Sequence, residues 1–551
     1  MFGRSFRAQD TEENFVIKTL SKAIVTIGRN ELITAIKNGF KEHSLCVGCH
    51  ILMLILKSSL PRKVLVNAFI FVCTSFQFAK TYECQGLLNT YAVCIPLRKQ
   101  FENFKSLQPT INHIRKKSRL RGDEMCGVFF GVKCALKVTR NLHWTIHLPK
   151  AIESKNNREI SLNPNGYFIQ VTDIHPDANY SPGSCADCGG MLCCEKLSGQ
   201  CTGDSAAGNW SDYRKCDMSL EVIDYVLSRL KVHKDAKFML ITGDYVKHNT
   251  WEVSIEQSKF YINWITNSIL KSNYPFRIFP SVGNHEAAPV NCFAPPQVKN
   301  ELNTTWLYEG GYYKEYIDEN TVLIQVNSNY CNRLNFWLLM YPIDSGDQLK
   351  WLTSELYETE KAGKKAYIVM HIPVDNRECT EAWTWNYIRI IKRFQKIIVG
   401  QFFGHRHYAE FRVMYPLDGS NTVIGVQFIT PSLTTFSATN TAYRLYFTDQ
   451  QGFVTDFETH YLPLEEANKG NVYWKKITPQ NGLSFQLQKF QDFDIFREGM
   501  QLSNMREYCL FYTSNAINSL HNCSDDNYLR KIVDDAPVCI PFKCPLKGLE
   551  V

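Results

Sequence analysis

A strong charge of either sign is missing from this chain: 61 basic against 54 acidic residues leave only +7 over 551 positions. That small excess suits an anionic membrane surface but gives no footprint for nucleic acid, which is not expected as a partner. No second Cys-x-x-Cys follows Cys46–Cys49 or Cys185–Cys188 at finger-like spacing, which argues against zinc held by cytosolic thiolates. Internal repeats are absent. Met1 to Asp10 is polar and charged, without the apolar core of a signal peptide. The run Val64 to Phe78, behind Arg62 and Lys63, lies far inside the chain and falls short of the roughly 20 apolar residues that span a bilayer.

Cysteine, by contrast, is plentiful. Twenty residues, even in number and closely spaced, read as a disulfide framework made in an oxidising compartment. Glycosylation triplets at Asn179, Asn209, Asn303 and Asn522 point the same way. The expected location is secreted or lysosomal, so the leaderless start is read as an amino terminus that is missing or wrongly assigned. An apolar content of 44% with 21% charged residues is that of a globular protein, and the length asks for two or three domains.

Texture along the chain sets their limits. Residues 1–41 are an extension, and 42–138 are helix-like blocks between cysteines. Residues 139–163 carry prolines and polar residues and read as a linker. Residues 164–463 alternate short apolar runs with amphipathic stretches such as Met218 to Val232 and Ile255 to Leu270, which indicates an α/β domain. Residues 464–551 are polar and helical-looking, with Cys509, Cys523, Cys539 and Cys544.

Within the α/β domain, five strand-like runs each finish near a metal-ligating side chain. Tyr167 to Thr172 leads into Asp173 and His175, and Phe238 to Thr242 into Gly243-Asp244. Phe276 to Pro280 leads into Gly283-Asn284-His285-Glu286. Ala366 to Met370 ends at His371, and Ile397 to Phe403 at Gly404-His405-Arg406-His407. Ligands collect at the carboxyl ends of strands in open α/β sheets, so five such ends describe one convergent site. Imidazole and carboxylate bind zinc and similar ions, an Asn oxygen can join them, and the preceding glycines let the backbone turn tightly.

These motifs resemble the calcineurin-like metallophosphoesterases, whose pattern is Asp-x-His, Gly-Asp, Gly-Asn-His-(Asp/Glu), His and Gly-His-x-His. The resemblance implies an α/β sandwich of two mixed sheets flanked by helices. It also implies two divalent metals, with zinc the first expectation. Asp173, His175 and His407 would hold one, and Asn284, His371 and His405 the other, with Asp244 bridging. Two such ions, about 3.5–4 Å apart, generate a bound hydroxide and clamp phosphorus for in-line displacement. An alkoxide leaving group needs a proton donor, and His285, beside a ligand, is assigned that role as general acid. His248 either orients the phosphate or is a surface histidine.

Cys46, Cys49, Cys73, Cys84, Cys126 and Cys134 are spaced in a manner similar to the saposin B-type fold. That resemblance implies an all-α N-terminal domain paired Cys46–Cys134, Cys49–Cys126 and Cys73–Cys84, with Ile51 to Leu56 and Val64 to Phe78 on its lipid face. The long Cys84–Cys126 interval and the extra Cys94 depart from the family. The basic run Arg115 to Arg121 is either a solvated face or a contact for anionic lipid. The two modules together, with Cys193-Cys194, Asn335 to Leu339, Trp383 to Tyr387 and Gln401 to His405, resemble the acid sphingomyelinase family. The resemblance implies hydrolysis of sphingomyelin to ceramide and phosphocholine, and a peripheral membrane contact through the saposin-like domain. It further implies Cys188–Cys193, Cys194–Cys216 and Cys331–Cys379, and leaves Cys94, Cys185, Cys201 and Cys292 open. Trp383, Trp385 and Tyr387 are either faces for choline or core aromatics, and Phe436 stands where the family suggests Tyr. The rival readings are a secreted phosphodiesterase acting on nucleotides or other phospholipids, and a non-catalytic lipid-binding or transfer protein.

Overall fold

The computed structural model describes residues 117–152, 165–249, 253–287, 310–375, 377–420, 422–478 and 508–514, together with residues 46, 49, 50, 53, 293, 296, 516 and 523. Two six-stranded mixed sheets dominate. The first is built from β1 (Tyr167–Val171), β4 (Phe238–Ile241), β5 (Arg277–Pro280), β12 (Thr441–Thr448), β13 (Val454–Leu462) and β14 (Lys475–Ile477), in the order β14-β13-β12-β1-β4-β5. The second holds β6 (Tyr313–Tyr316), β7 (Thr321–Gln325), β8 (Lys365–Val369), β9 (Ile398–Phe403), β10 (Glu410–Met414) and β11 (Gly425–Ile429), in the order β10-β11-β9-β8-β7-β6. A small parallel pair joins β2 (Pro176–Asp177) to β3 (Met218–Ser219).

Each central strand is apolar on both faces because both faces are covered. Phe168, Phe238, Leu240, Leu323, Tyr367, Val369 and Phe402 point between the sheets and meet there. Their neighbours point outward. Ile169, Val171, Met239 and Ile241 pack beneath α2 (Leu220–Arg229) and α3 (Ile255–Ser272). Val322, Ile324, Ala366 and Ile368 pack beneath α4 (Gln348–Lys361) and α5 (Glu381–Phe394). The result is a four-layer helix–sheet–sheet–helix sandwich, the α/β architecture expected from the resemblance.

β1, β4 and β5 run parallel in one sheet, and β7, β8 and β9 in the other. Their carboxyl ends therefore gather the loops that carry the motif residues. Buried Gln170 joins the sheets just below, donating to Thr242 Oγ1 at 3.0 Å and the Phe403 carbonyl at 2.9 Å while accepting from Thr430.

The periphery adds three findings. Residues 139–152, in the stretch expected as a linker, are laced onto α5. Trp144 and Ile146 are buried in its core, Ile146 N–H donates to Asn386, and Arg393 donates to the Pro149 carbonyl. Beyond residue 463, β14 extends the first sheet, and Tyr508, Cys509, Phe511 and Tyr512 fill the inter-sheet core. Helix α1 (Gly122–Phe130) packs on Phe336 to Leu339. No helix among the described residues is long and apolar enough to cross a membrane.

Seven disulfides join described cysteines. Cys46–Cys134, Cys49–Cys126, Cys188–Cys193, Cys194–Cys216 and Cys331–Cys379 are those the resemblance implies. Cys185, left open from sequence, pairs with Cys201, and Cys509 pairs with Cys523. The Cys73–Cys84 pairing, Cys94, Cys292, the extension 1–41, Val64 to Phe78 and all of Ile51 to Leu56 but Met53 lie outside the described residues. So do Asn303 and Asn522, whereas Asn179 and Asn209 are exposed.

His233 gives the fold a pH dependence. Burial, then the neighbouring His460 and Arg229, push its pKa down to about 4. A histidine depressed in the folded state contributes stability that is present above its unfolded pKa, near 6.5, and lost as pH falls through 4. His233→Gln is expected to shrink the fall in Tm between pH 6.5 and 4 relative to the parent protein, measured by thermal melts across that range.

Candidate metal centre

Five of the seven expected ligands stand in the left-handed backbone region, where side-chain-bearing residues are uncommon: Asp173 (φ 50°), His175 (41°), Asp244 (62°), His405 (70°) and His407 (64°). Such strain concentrates where function demands a fixed side-chain direction. Surrounding bonds hold it in place: Asp173 N–H donates to the Gly243 carbonyl, and His175 N–H to that of Asp244. The glycines serve partly by conformation and partly by lacking a side chain. Gly243 has φ 97°, whereas a Cβ on Gly283 or Gly404 would strike the Asp244 or Asp173 carboxylate.

The donors form groups whose ligand atoms lie within 4.8 Å of one another. Asp173, His175 and His407 make one, and Asp244, His371 and His405 another. Asn284 Oδ1 lies 2.9 Å from His371 Nε2, which is itself 3.1 Å from Asp244 Oδ2. Asp244 reaches toward both groups, with its Oδ2 3.5 Å from His175 Nε2. A third group joins His175 to His248 and His285.

Outer partners decide which nitrogen of each ring faces inward. His175 Nδ1 is 2.7 Å from the Val246 carbonyl, and His371 Nδ1 is 2.6 Å from that of Thr242. A carbonyl only accepts, so both Nδ1 atoms carry a proton and both Nε2 atoms are turned to the centre. His407 Nδ1 is 2.9 Å from Ser437 Oγ. His405 is reversed, its Nε2 lying 3.6 Å from Glu378 Oε1.

The donor set fits divalent cations. His175 Nε2 is fully buried with no hydrogen-bond partner, a cost that a cation at that position relieves. Against burial, Asp244 and Asp173 push His371 up to about 10, so the pocket concentrates negative potential. Against the same burial, His371 and His285 hold Asp244 well below the usual carboxylate range. Imidazole with carboxylate suits zinc, manganese or iron.

His285 and His248 line the same chamber. His285 N–H donates to Asp244 Oδ1 at 2.9 Å, and its Nδ1 is 3.3 Å from the Lys247 carbonyl. Burial, followed by a rise from Asp244 and a fall from His248, leaves its pKa lowered to about 4. His248 is no surface histidine: it is 7% exposed and sandwiched, with Phe436 stacked 3.8 Å away on one side and the His175 ring centroid at 3.8 Å on the other. Two of the aromatics considered for a headgroup are core: Trp383 and Tyr387 stack on each other inside the α5 layer. One face of Trp385 is covered by Arg389.

Three carboxylates carry roles that the sequence reading left unassigned. Asp217, wholly buried, accepts from His248 Nδ1 at 2.7 Å, from its N–H at 2.8 Å and from Thr434 at 2.9 Å. Its position directly after Cys216 matches no motif. Glu378 faces His405 and also lacks a local signal. Glu286 belongs to the Gly-Asn-His-Glu motif, and there it accepts from the N–H groups of Gly283, Asp244 and Tyr245, clasping two ligand loops together. Burial and Asp244 push its carboxyl up to about 8, against those N–H donors.

Glu286→Gln replaces one acceptor oxygen with a donor that faces a backbone N–H. A loss of about 1–3 kcal/mol is expected from the stranded amide, measured by urea unfolding.

Known proteins resemble this chain. The calcineurin-like phosphoesterase family matches residues 166–409. Sphingomyelin phosphodiesterase of Bos taurus is 33% identical over 64% of this chain, which spans 61% of that protein's length. Sphingomyelin phosphodiesterase 1 of Caenorhabditis elegans is 30% identical over 81% of this chain and 82% of its own length. Among solved structures, a dimetal phosphatase from Danio rerio aligns over 54% of this chain and 96% of its own, at 11% identity and a TM-score of 0.32. With the site motifs in place and the nematode protein matched along most of both chains, this chain belongs to the sphingomyelin phosphodiesterase family.

Proposed function

We propose that this protein is a two-metal phosphodiesterase that hydrolyses sphingomyelin to ceramide and phosphocholine. The observation that carries the reading is the meeting of two donor groups at Asp244, each drawing residues from the strand ends of both sheets. Asp173, His175 and His407 would hold one cation and Asn284, His371 and His405 the other, with Asp244 between them. When bound, two divalent ions, zinc the first choice for this donor set, supply Lewis acidity and lower the pKa of an attacking water.

The remaining work falls to the chain itself. The Val246 and Thr242 carbonyls keep His175 and His371 in the tautomer that points Nε2 inward. His285 is pinned by its backbone to Asp244, with Nδ1 toward the Lys247 carbonyl, and would deliver a proton from Nε2 to the departing ceramide oxygen as the imidazolium, a form that burial disfavours and the negative charge of a bound phosphate favours. Asp217 and Phe436 hold His248 so that its Nε2 faces the space between His175 and His285, where phosphate oxygens would lie.

The lipid substrate is supported by the names of the relatives and by the stapled helix α1, which we assign to a saposin B-type module spanning 42–138 ahead of the catalytic domain at 164–463. Membrane contact through that module completes the reading. Seven disulfides among the described residues and the exposed Asn179 and Asn209 support a secreted or lysosomal protein.

Phosphocholine release from sphingomyelin vesicles, run beside nucleotide diesters, tests the substrate. The lipid is expected to be the better substrate, and faster turnover of the nucleotide diesters would replace this reading with the rival. His285→Ala is expected to lower turnover of sphingomyelin by roughly 10²–10⁴-fold. Activated nitrophenyl esters should suffer far less, with metal content unchanged by elemental analysis. Equal losses on both substrates would remove His285 as the proton donor.

A further inference from the structure

Helix α1 ends against Arg333 and Glu381, beside the loop that carries Glu378. Gly131 closes it with φ 94°, and a Cβ added there would lie 2.6 Å from Glu381 Oε1 and 3.1 Å from Arg333 Nη1. Arg333, only 8% exposed, spans two loops of the catalytic domain. Its N–H donates to the Glu378 carbonyl and its Nε to the Cys379 carbonyl, both at 2.9 Å, and its Nη2 is 3.7 Å from Glu381. The Cys331–Cys379 disulfide and the bond from Thr380 N–H to the Cys331 carbonyl close the same two loops. Glu378, held on this frame, faces His405 Nε2 at 3.6 Å. On the other side, α1 lays Phe129 against Phe336, ring centroids 5.1 Å apart, and Ser118 donates to the Leu339 carbonyl.

We propose that Arg333 is a positioning residue that couples the docking of helix α1 to the seat of His405, acting through the 378–381 loop and the Glu378 carboxylate. The proposal rests on the reading of His405 as a metal donor. With Nε2 turned to Glu378, the nitrogen left for a cation is Nδ1, and Glu378 fixes the ring's rotation. Losing an outer partner of a ligating histidine typically weakens metal binding 10–100-fold. Arg333 is buried where α1 meets the catalytic domain, with its guanidinium beside Gly131. A shift of the helix changes that position and, through the side-chain contacts to the Cys379 carbonyl and Glu381, the placing of the loop that carries Glu378. The module that would present lipid is thereby tied mechanically to one of the two cation seats.

The test uses the full chain, stripped of metal by chelation and titrated with Co²⁺, whose visible absorption follows the filling of each seat. The parent protein is expected to take two equivalents. Glu378→Gln and Arg333→Gln should each weaken one equivalent about tenfold and spare the other. The double variant should be no weaker than either single one, as for residues acting along one path. Gly131→Ala, placed outside the catalytic domain, should reproduce the same loss from the α1 side. Two unweakened equivalents in Gly131→Ala or in folded Arg333→Gln would overturn the coupling, and if Arg333→Gln does not fold, Gly131→Ala decides. A parent protein that takes no Co²⁺ would overturn the metal reading itself, a result distinct from retention of both equivalents by the variants.

Discussion

Two carboxylates, Asp173 and Asp244, are fully buried at the seam between the sheets, and most of the surrounding structure answers the cost of placing charge there. An unpaired buried carboxylate is among the most expensive groups a fold can contain. Asp173 therefore accepts from Thr172 Oγ1 at 2.7 Å and from His405 N–H at 2.8 Å, with His407 Nε2 3.4 Å away. Asp244 accepts from His285 N–H and lies beside His371 and His175. These partners come from both sheets, so the same contacts that compensate the charge also lock the sandwich at its functional end. The left-handed backbones at five of these residues are the conformational cost of aiming so many polar side chains at one small volume.

Stability and chemistry are separated in space. The apolar layers beneath α2 and α3, and beneath α4 and α5, are built from alternating strand residues and involve no site side chain. The polar seam sits at one end of that frame. Disulfides take over where the chain leaves the sheets. The insert between β2 and β3 is held by Cys185–Cys201, Cys188–Cys193 and Cys194–Cys216. It delivers Asp217 to His248, and Glu195 to buried Lys247 at 2.5 Å. A loop with no more regular structure than two single-turn 3₁₀ helices thus becomes a wall of the site, because cross-links restrict its freedom independently of any core.

Legibility from the sequence followed locality. The strand ends at Asp173, Asp244, Asn284, His371 and His405 were readable because a strand, a turn and a ligand lie within a few residues. The alternation of Phe168 with Ile169 and of Phe238 with Met239 likewise records, in adjacent letters, two buried faces. The roles of Asp217 and Glu378 were not readable. Asp217 lies 31 residues from the histidine it holds, and nothing in its neighbours distinguishes it from any surface aspartate. Trp383 and Tyr387 show the converse: an aromatic cluster that suggests a headgroup site in the sequence is packing material once α5 is laid on its sheet.

The amino-acid order by itself determined which side chains could coordinate, which cysteines were available to cross-link, and that the apolar periodicity would make a covered sheet. Tertiary structure alone decided which imidazole nitrogen faces the centre, which carboxylates stand behind the histidines, and where α1 comes to rest. The physical reason is one of range. Ligand identity and strand periodicity are properties of consecutive residues, whereas a hydrogen bond to Nδ1 or a carboxylate at Nε2 is supplied by whichever distant segment the packed core brings within about 3 Å.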